Sequence, residues 1–325
     1  MKEFSFRKGY VLLILSLAFL LGLPLWASQY LIHTMIMILF FAYLSSCWNI
    51  LGGYAGQISF GHHVFVGIGA YTSAVLYVKM GLTPWLGMLV GGLFGTSLGI
   101  FISFLSFRYN VREIYFALIT LAFAEGIKLL SLNLRFIEGT KGLHIPLKNS
   151  LVAFQFSRKT PYYFIILGML IIITVVVFYL DRSKIGIYLK SIREDEEAAD
   201  ALGINIFKYK VIAMGISAFF TSLGGTFISQ FTTYLHPDVT FSMEYMVGML
   251  LGTIVGGIGT IWGPILGTFI VTTTSELLTF VPITGEKAVN IASFVIIVFG
   301  LILIFLMIFM PRGILGLIKA RQKIK

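Results

Sequence analysis

Few residues in this chain have both the type and the setting for chemistry. Glu125 and Lys128 stand three apart in an apolar run, one helical turn from each other, so each can neutralise the other. Glu276 lies within another apolar run and Glu244 near the start of a third. A charge at the centre of a membrane span costs about 2.5–3.5 kcal/mol on insertion scales, so such groups mark a polar pathway or an anchor between helices. Both readings stand for Glu125 and Glu276, and the anchor reading is preferred for Glu244. His62 and His63 are adjacent, and neighbours on a helix point about 100° apart, so no shared metal is expected from them. Gly95-Thr96-Ser97-Leu98-Gly99 spells the GxSxG nucleophile elbow. That motif needs a strand-to-helix turn, and here it falls inside a long apolar run, so it is read as chance. No GxxxxGK followed by Ser or Thr occurs, so nothing cradles nucleotide phosphates. These residues describe no enzyme and no bound cofactor. Any ATP that drives this chain is held by another one.

The elements that position these groups are apolar helices. The chain has 325 residues, of which 58% are hydrophobic and 12% charged. Runs long enough to cross a bilayer recur along it. The expected fold is an all-α integral membrane protein, a single polytopic domain over 1–325, with about ten spans (range about 8–11) and a cytoplasmic coupling helix. The spans are placed at 11–28, 31–51, 60–78, 85–107, 114–133, 161–180, 209–229, 243–258, 263–280 and 291–310. The first resembles a signal peptide, but Leu25-Trp26-Ala27 is a poor cleavage site and another span follows, so it is read as uncleaved. The net charge of +10 sits mostly in short loops, which points to orientation in lipid and not to nucleic acid. Most Lys and Arg fall inside if both termini are cytoplasmic. The external segment 134–160 is the basic exception and is read as a solvated loop, with a surface for an acidic partner as the other reading. Cys47 is the single cysteine, so an intrachain disulfide is excluded.

Small residues recur every fourth position in three spans. They are Gly87, Gly91, Gly95 and Gly99; Ser217, Thr221, Gly225 and Ser229; and Gly248, Gly252 and Gly256. This spacing lets helices approach closely in lipid and predicts a tight bundle. Two glycine-rich segments interrupt the helical pattern, at 52–61 and 256–264. In corresponding places of two halves, such breaks point to a transport site, and Gly53, Gly56, Gln57, Ser59 and Gly61, with Glu125, are the candidate pathway residues. Each break also reads as a tight cytoplasmic turn, and the two readings are compatible.

The segment 181–210 is the most charged part of the chain. Ser191 and Glu194 spell a capping box, Glu194 to Glu197 crowd a helix start, and Ile192, Ala198, Ala199 and Leu202 form a narrow apolar face. Gly203 can close the helix in the left-handed conformation. So short a helix needs packing, either on its own membrane domain or on a soluble partner.

With Glu197-Ala198-Ala199 and Gly203, this segment resembles the EAA loop by which permease subunits of ABC importers dock on their ATPases. SIREDEEAADALGINIFKYK is similar to the form found in branched-chain amino-acid permeases of the LivM type. The same family is resembled at NILGGYAGQISFGHHVFVGIGAY over 49–71, at Thr120-Leu121-Ala122-Phe123 with Glu125, at Gly256-Gly257-Ile258-Gly259-Thr260 with Gly263-Pro264, and at Pro311-Arg312-Gly313 with Gly316. One departure is Glu138-Gly139-Thr140-Lys141-Gly142-Leu143, where the family usually has Thr-Gly-Gly before Gly-Leu. The resemblance implies a permease subunit for aliphatic amino acids in a bacterial or archaeal cytoplasmic membrane. It implies pairing with a second permease, two ATPase subunits that use ATP, and an extracytoplasmic binding protein. Ser191, Glu194, Glu197, Ala198, Ala199, Leu202 and Gly203 would then couple to the ATPase. A secondary carrier or channel using Glu125 or Glu276 is the alternative.

Overall fold

The structure is a computed structural model and describes residues 18–109, 111 and 113–279. The expected span at 291–310, the motif Pro311 to Gly316, the basic tail, Arg112 and the first half of the span at 11–28 lie outside the described residues.

The chain is an all-α membrane protein. After a short helical turn at 18–22 and a 3-10 turn at Leu23–Leu25, the helices are α1 (Gln29–Asn49), α2 (His63–Met80), α3 (Pro84–Arg108), α4 (Glu113–Asn133), α5 (Lys159–Arg182), α6 (Lys184–Glu194), α7 (Glu196–Ala201), α8 (Ile206–Thr232), α9 (Pro237–Thr240), α10 (Met243–Gly256) and α11 (Gly263–Thr279). A π-helical turn, Ile50–Tyr54, prolongs α1. Among the described residues, six segments are long and apolar enough to cross a bilayer: Gln29–Tyr54, Pro84–Arg108, Ile114–Asn133, Lys159–Arg182, Ile206–Thr232 and Pro237–Gly256. The helix ends follow local chemistry. The Ser28 and Thr83 hydroxyls accept amides of the first turns of α1 and α3, Pro84 opens α3, and Gly81 closes α2 with a left-handed backbone.

Helices α2, α3 and α8 form a slab whose helices meet backbone to backbone. A Cβ added at Gly91 would lie 3.1 Å from the Gly69 Cα, and one at Gly99 would lie 2.8 Å from the Ala218 Cβ. At Gly69, Gly95 and Gly225 it would run into the Ser222 carbonyl, the Ser222 hydroxyl and the Val66 carbonyl. Gly87 lies against Ser73. Helices α10 and α11 make a second close pair, in which Gly252 meets Thr268 and Ser45, and Gly256 meets Gly263. Gly248 makes room for the Phe41 ring of α1. Between slab and pair runs α1, with Phe40, Tyr43, Cys47 and Trp48 fully buried.

At one end of the bundle, 134–158 forms a strap whose basic residues Arg135, Lys141, Lys148 and Arg158 are exposed while a few apolar residues dock on the helices. The two-residue strand β1 (Leu143–His144) pairs antiparallel with β2 (Tyr234–Leu235). Leu143, Ile145, Phe154 and Gln155 are buried, Phe154 stacks on Trp85 at 4.3 Å, and the Trp85 indole donates to the Leu151 carbonyl. The connections at 50–62, 183–205 and 257–262 gather at the opposite end.

The charged helix pair and the glycine junction

The charged segment is two helices, not one. Ser183 caps α6 by accepting the Gly186 amide, and α6 runs on to Glu194 because Gly186, Leu189 and Ile192 bury one face. Ser191 is therefore not a cap: its hydroxyl donates to the Ile187 carbonyl inside α6. The cap of α7 is Asp195, whose carboxylate accepts the Ala198 amide at 2.9 Å. Glu196 and Glu197 follow in the first turn, and the buried Lys210 ammonium binds Glu196 at 2.7 Å. Helix α7 ends in a Schellman motif, with the Gly203 amide on the Asp200 carbonyl and the Ile204 amide on the Ala199 carbonyl. Gly203 has φ +81° and open space around it.

Of the apolar face read from the sequence, Ile192 and Ala199 are buried, whereas Ala198 is exposed and Leu202 is 81% exposed. The pair thus anchors through one face and presents a knob of Glu194, Glu197, Ala198, Asp200 and Leu202 to the surroundings. Beside it opens a groove of about 1020 Å³ between α7 and the ends of α3, α4 and α8. Phe107, Val111, Ile114 and Phe207 give it apolar walls, and Glu196, Glu197 and Asp200 an acidic rim.

Behind this pair the two glycine-rich segments dock on each other. The Asn49 side chain clamps the second: its Oδ1 accepts the Gly259 amide at 2.8 Å and its Nδ2 donates to the Thr260 carbonyl at 2.9 Å. A Cβ on Gly53 would stand 2.7 Å from the Gly259 nitrogen, so both positions need bare backbone. From α6, the Arg193 Nη1 donates to the Gly53 carbonyl at 2.7 Å. Gly53 and Gly56 therefore lie under α6, at the charged end of the bundle. The rest of the first segment, 55–62, has no helix and is held from three sides. The Trp48 indole donates to the Ser59 carbonyl at 3.0 Å, the Phe60 amide donates to the Thr120 hydroxyl at 3.0 Å, and His62 joins Ser59 to Ser217 at 2.8 Å on each ring nitrogen. The Ser217 hydroxyl donates to the Cys47 carbonyl, so it accepts from Nε2, and Nδ1 accepts from Ser59. Gly61 lies against the Thr120 carbonyl. Gln57 is buried, and its side-chain oxygen has no hydrogen-bond partner among the described residues.

Glu125 and Lys128 pair at 3.6 Å, and Lys128 also meets Asp238 at 3.7 Å, with His236 3.5 Å from Asp238. The Glu125 carboxylate is 44% exposed on a helix with little of its surface covered. Glu276 accepts the Tyr30 hydroxyl at 3.2 Å, and Glu244 follows the Ser242 cap in the first turn of α10. Among the described residues, Ser97 bonds only the Leu93 carbonyl of its own helix, the ordinary partner of a serine within a span. No cluster of three or more metal-ligating side chains occurs among the described residues. The sequence reading placed Asp195 in the first turn and not at the cap, and it missed Arg193 and Asn49. Asp195 followed by two glutamates is itself a helix-start signal, whereas Arg193 and Asn49 act on partners 140 and 210 residues away.

Residues 30–310 match the family described as branched-chain amino acid transport system / permease component. The high-affinity branched-chain amino acid transport system permease protein LivM of Salmonella typhimurium is 25% identical, over 93% of this chain and 74% of its own length. The Escherichia coli protein of that name is also 25% identical, over 97% and 76%. A probable LivM from Methanocaldococcus jannaschii is 23% identical, over 77% and 69%. No solved structure matches.

Proposed function

The chain belongs to the family of branched-chain amino acid transport system permease components, and from that premise we propose that it forms, with a second permease, the path of an ABC importer for aliphatic amino acids. Two ATPase subunits hold and use the ATP, and an extracytoplasmic binding protein delivers the substrate. The charged end of the bundle faces the cytoplasm.

The observation that carries this reading is the α7 knob. An isolated six-residue helix is unstable in water, yet this one is capped at both ends, anchored by Lys210, and leaves Leu202 outside among acids. A leucine so exposed on a rigid, charged projection beside a groove fits a surface that a partner covers. ATP-driven closure of the ATPases then moves the pair and switches the spans between outward and inward states. The path runs along α4, past Gln57, Ser59 and Gly61. The half-exposed Glu125–Lys128–Asp238 cluster cannot face lipid cheaply, so it turns to the water-filled path or to the second permease.

The test is co-purification from membranes. Glu197→Lys with Gly203→Pro reverses one knob charge and destroys the Schellman turn without touching a span. The ATPase should be lost from this variant while the second permease is retained. If no ATPase accompanies the unaltered chain either, the importer reading gives way to a secondary carrier. Transport would then collapse with the proton gradient while ATP is maintained.

A further inference from the structure

We propose that Arg193 is the positioning residue through which movement of α6 and α7 reaches the glycine junction and so the two sets of spans that meet there. This inference rests on the ATPase-docking reading and adds to it the link by which docking becomes transport.

Three observations converge on this side chain. First, α1 ends in a π turn and then stops being helical, which leaves its last carbonyls short of amides. The Gln57 amide turns back to the Leu51 carbonyl, and the Gly53 carbonyl receives the Arg193 guanidinium at 2.7 Å. A cation at the negative end of a helix is well placed, and a charge-assisted bond is stronger than a neutral one. Second, glycines from both segments make room for it. A Cβ on Gly56 would lie 3.0 Å from the Arg193 Cγ, and a Cβ on Gly259 would strike the guanidinium itself. Third, Asn49 fixes residues 259 and 260 to the same helix end, so whatever displaces Gly53 displaces the α10–α11 turn with it. Among the described residues, the Arg193 bond is the one hydrogen bond from α6 or α7 to either glycine segment. Its base is firm, since Leu189 and Ile192 are buried and Lys190 binds Asp181 at 2.7 Å. Arg193 is exposed beside the Glu197–Leu202 knob, but its guanidinium reaches into the bundle at Gly53.

The experiment uses the whole importer, reconstituted in proteoliposomes with its binding protein and leucine as the probe. ATPase co-purification, ATP hydrolysis and uptake are measured on the same preparations. In Arg193→Gln the ATPase should stay bound and hydrolysis should stay within about twofold, while uptake per ATP falls by about tenfold, the scale of one lost charge-assisted hydrogen bond. Arg193→Lys keeps the charge but not the planar fork and should fall by about threefold. Where the glutamine variant does not fold, the lysine variant carries the test by the same ratio. Unchanged uptake per ATP overturns the proposal, and so does loss of the ATPase in step with uptake, which would make Arg193 part of the docking surface. Absence of an ATPase from the unaltered chain overturns the docking reading together with this one.

Discussion

Glycine serves opposite ends in the α2–α3–α8 slab and in the α7 knob. At Gly225 the backbone is ordinary helix and no space exists, because a Cβ would meet the Val66 carbonyl. At Gly203 space is unlimited, and it is the backbone, at φ +81°, that excludes a side chain. In the slab, glycine brings main chains into contact where lipid supplies no hydrophobic drive. In the knob it turns the chain, so that a helix too short to persist alone ends with its carbonyls satisfied. A glycine count alone does not separate the two. The neighbour of each glycine does.

The contrast can be broken at four points of decreasing effect. Gly225→Ala should destabilise the protein by about 3 kcal/mol, because backbone cannot yield as a side-chain tip can. Thermal unfolding in detergent checks this, and an unchanged midpoint would mean that the slab is looser than described. His62→Ala should come next at about 2 kcal/mol, since it removes the bond that ties the non-helical 55–62 segment to Ser217 of α8 and the bond to Ser59 within the segment. If the same scan shows no loss for this variant, the segment is held by Trp48 and Thr120 alone. Gly203→Ala should cost about 1 kcal/mol and only locally. It should weaken ATPase retention without moving the unfolding midpoint, and Gly203→Asn should restore part of the retention; equal behaviour of Ala and Asn would show that conformation is not the constraint. Leu202→Ser should change stability by less than about 0.5 kcal/mol while reducing ATPase retention. Full retention would leave Leu202 an unoccupied surface residue.

Helix placement was legible because its signals are local. Ser28, Thr83 with Pro84, and Gly81 sit beside the ends that they set, and among the described residues the helices from α1 onward depart from the expected span edges by only a few residues. The 181–210 segment was misread for a physical reason. Ser191-x-x-Glu194 and Asp195-x-x-Ala198 are both plausible starts, and the choice falls to Asp195 because burial of Leu189 and Ile192 carries the first helix past Ser191. The strap over 134–158 was hidden because half of its pairing comes from Tyr234 and Leu235. Of the candidate pathway residues, Gly53 and Gly56 lie against Arg193, a neighbour that no spacing rule supplies. The pairing of Glu125 with Lys128 follows from one helical turn, but Asp238 joins them only through the fold.

The pairing of β1 with β2 also sets an order of assembly. Residues 143 and 144 leave the ribosome long before 234 and 235, and the glycine face of α3 waits equally long for α8. Until α8 has crossed, the early helices hold an unpaired strand and an uncovered close-contact face, both of which are costs of non-local contacts. Closure of the strap therefore waits on the end of α8, and a chain that stops before residue 235 leaves Leu143 and His144 without their strand partners.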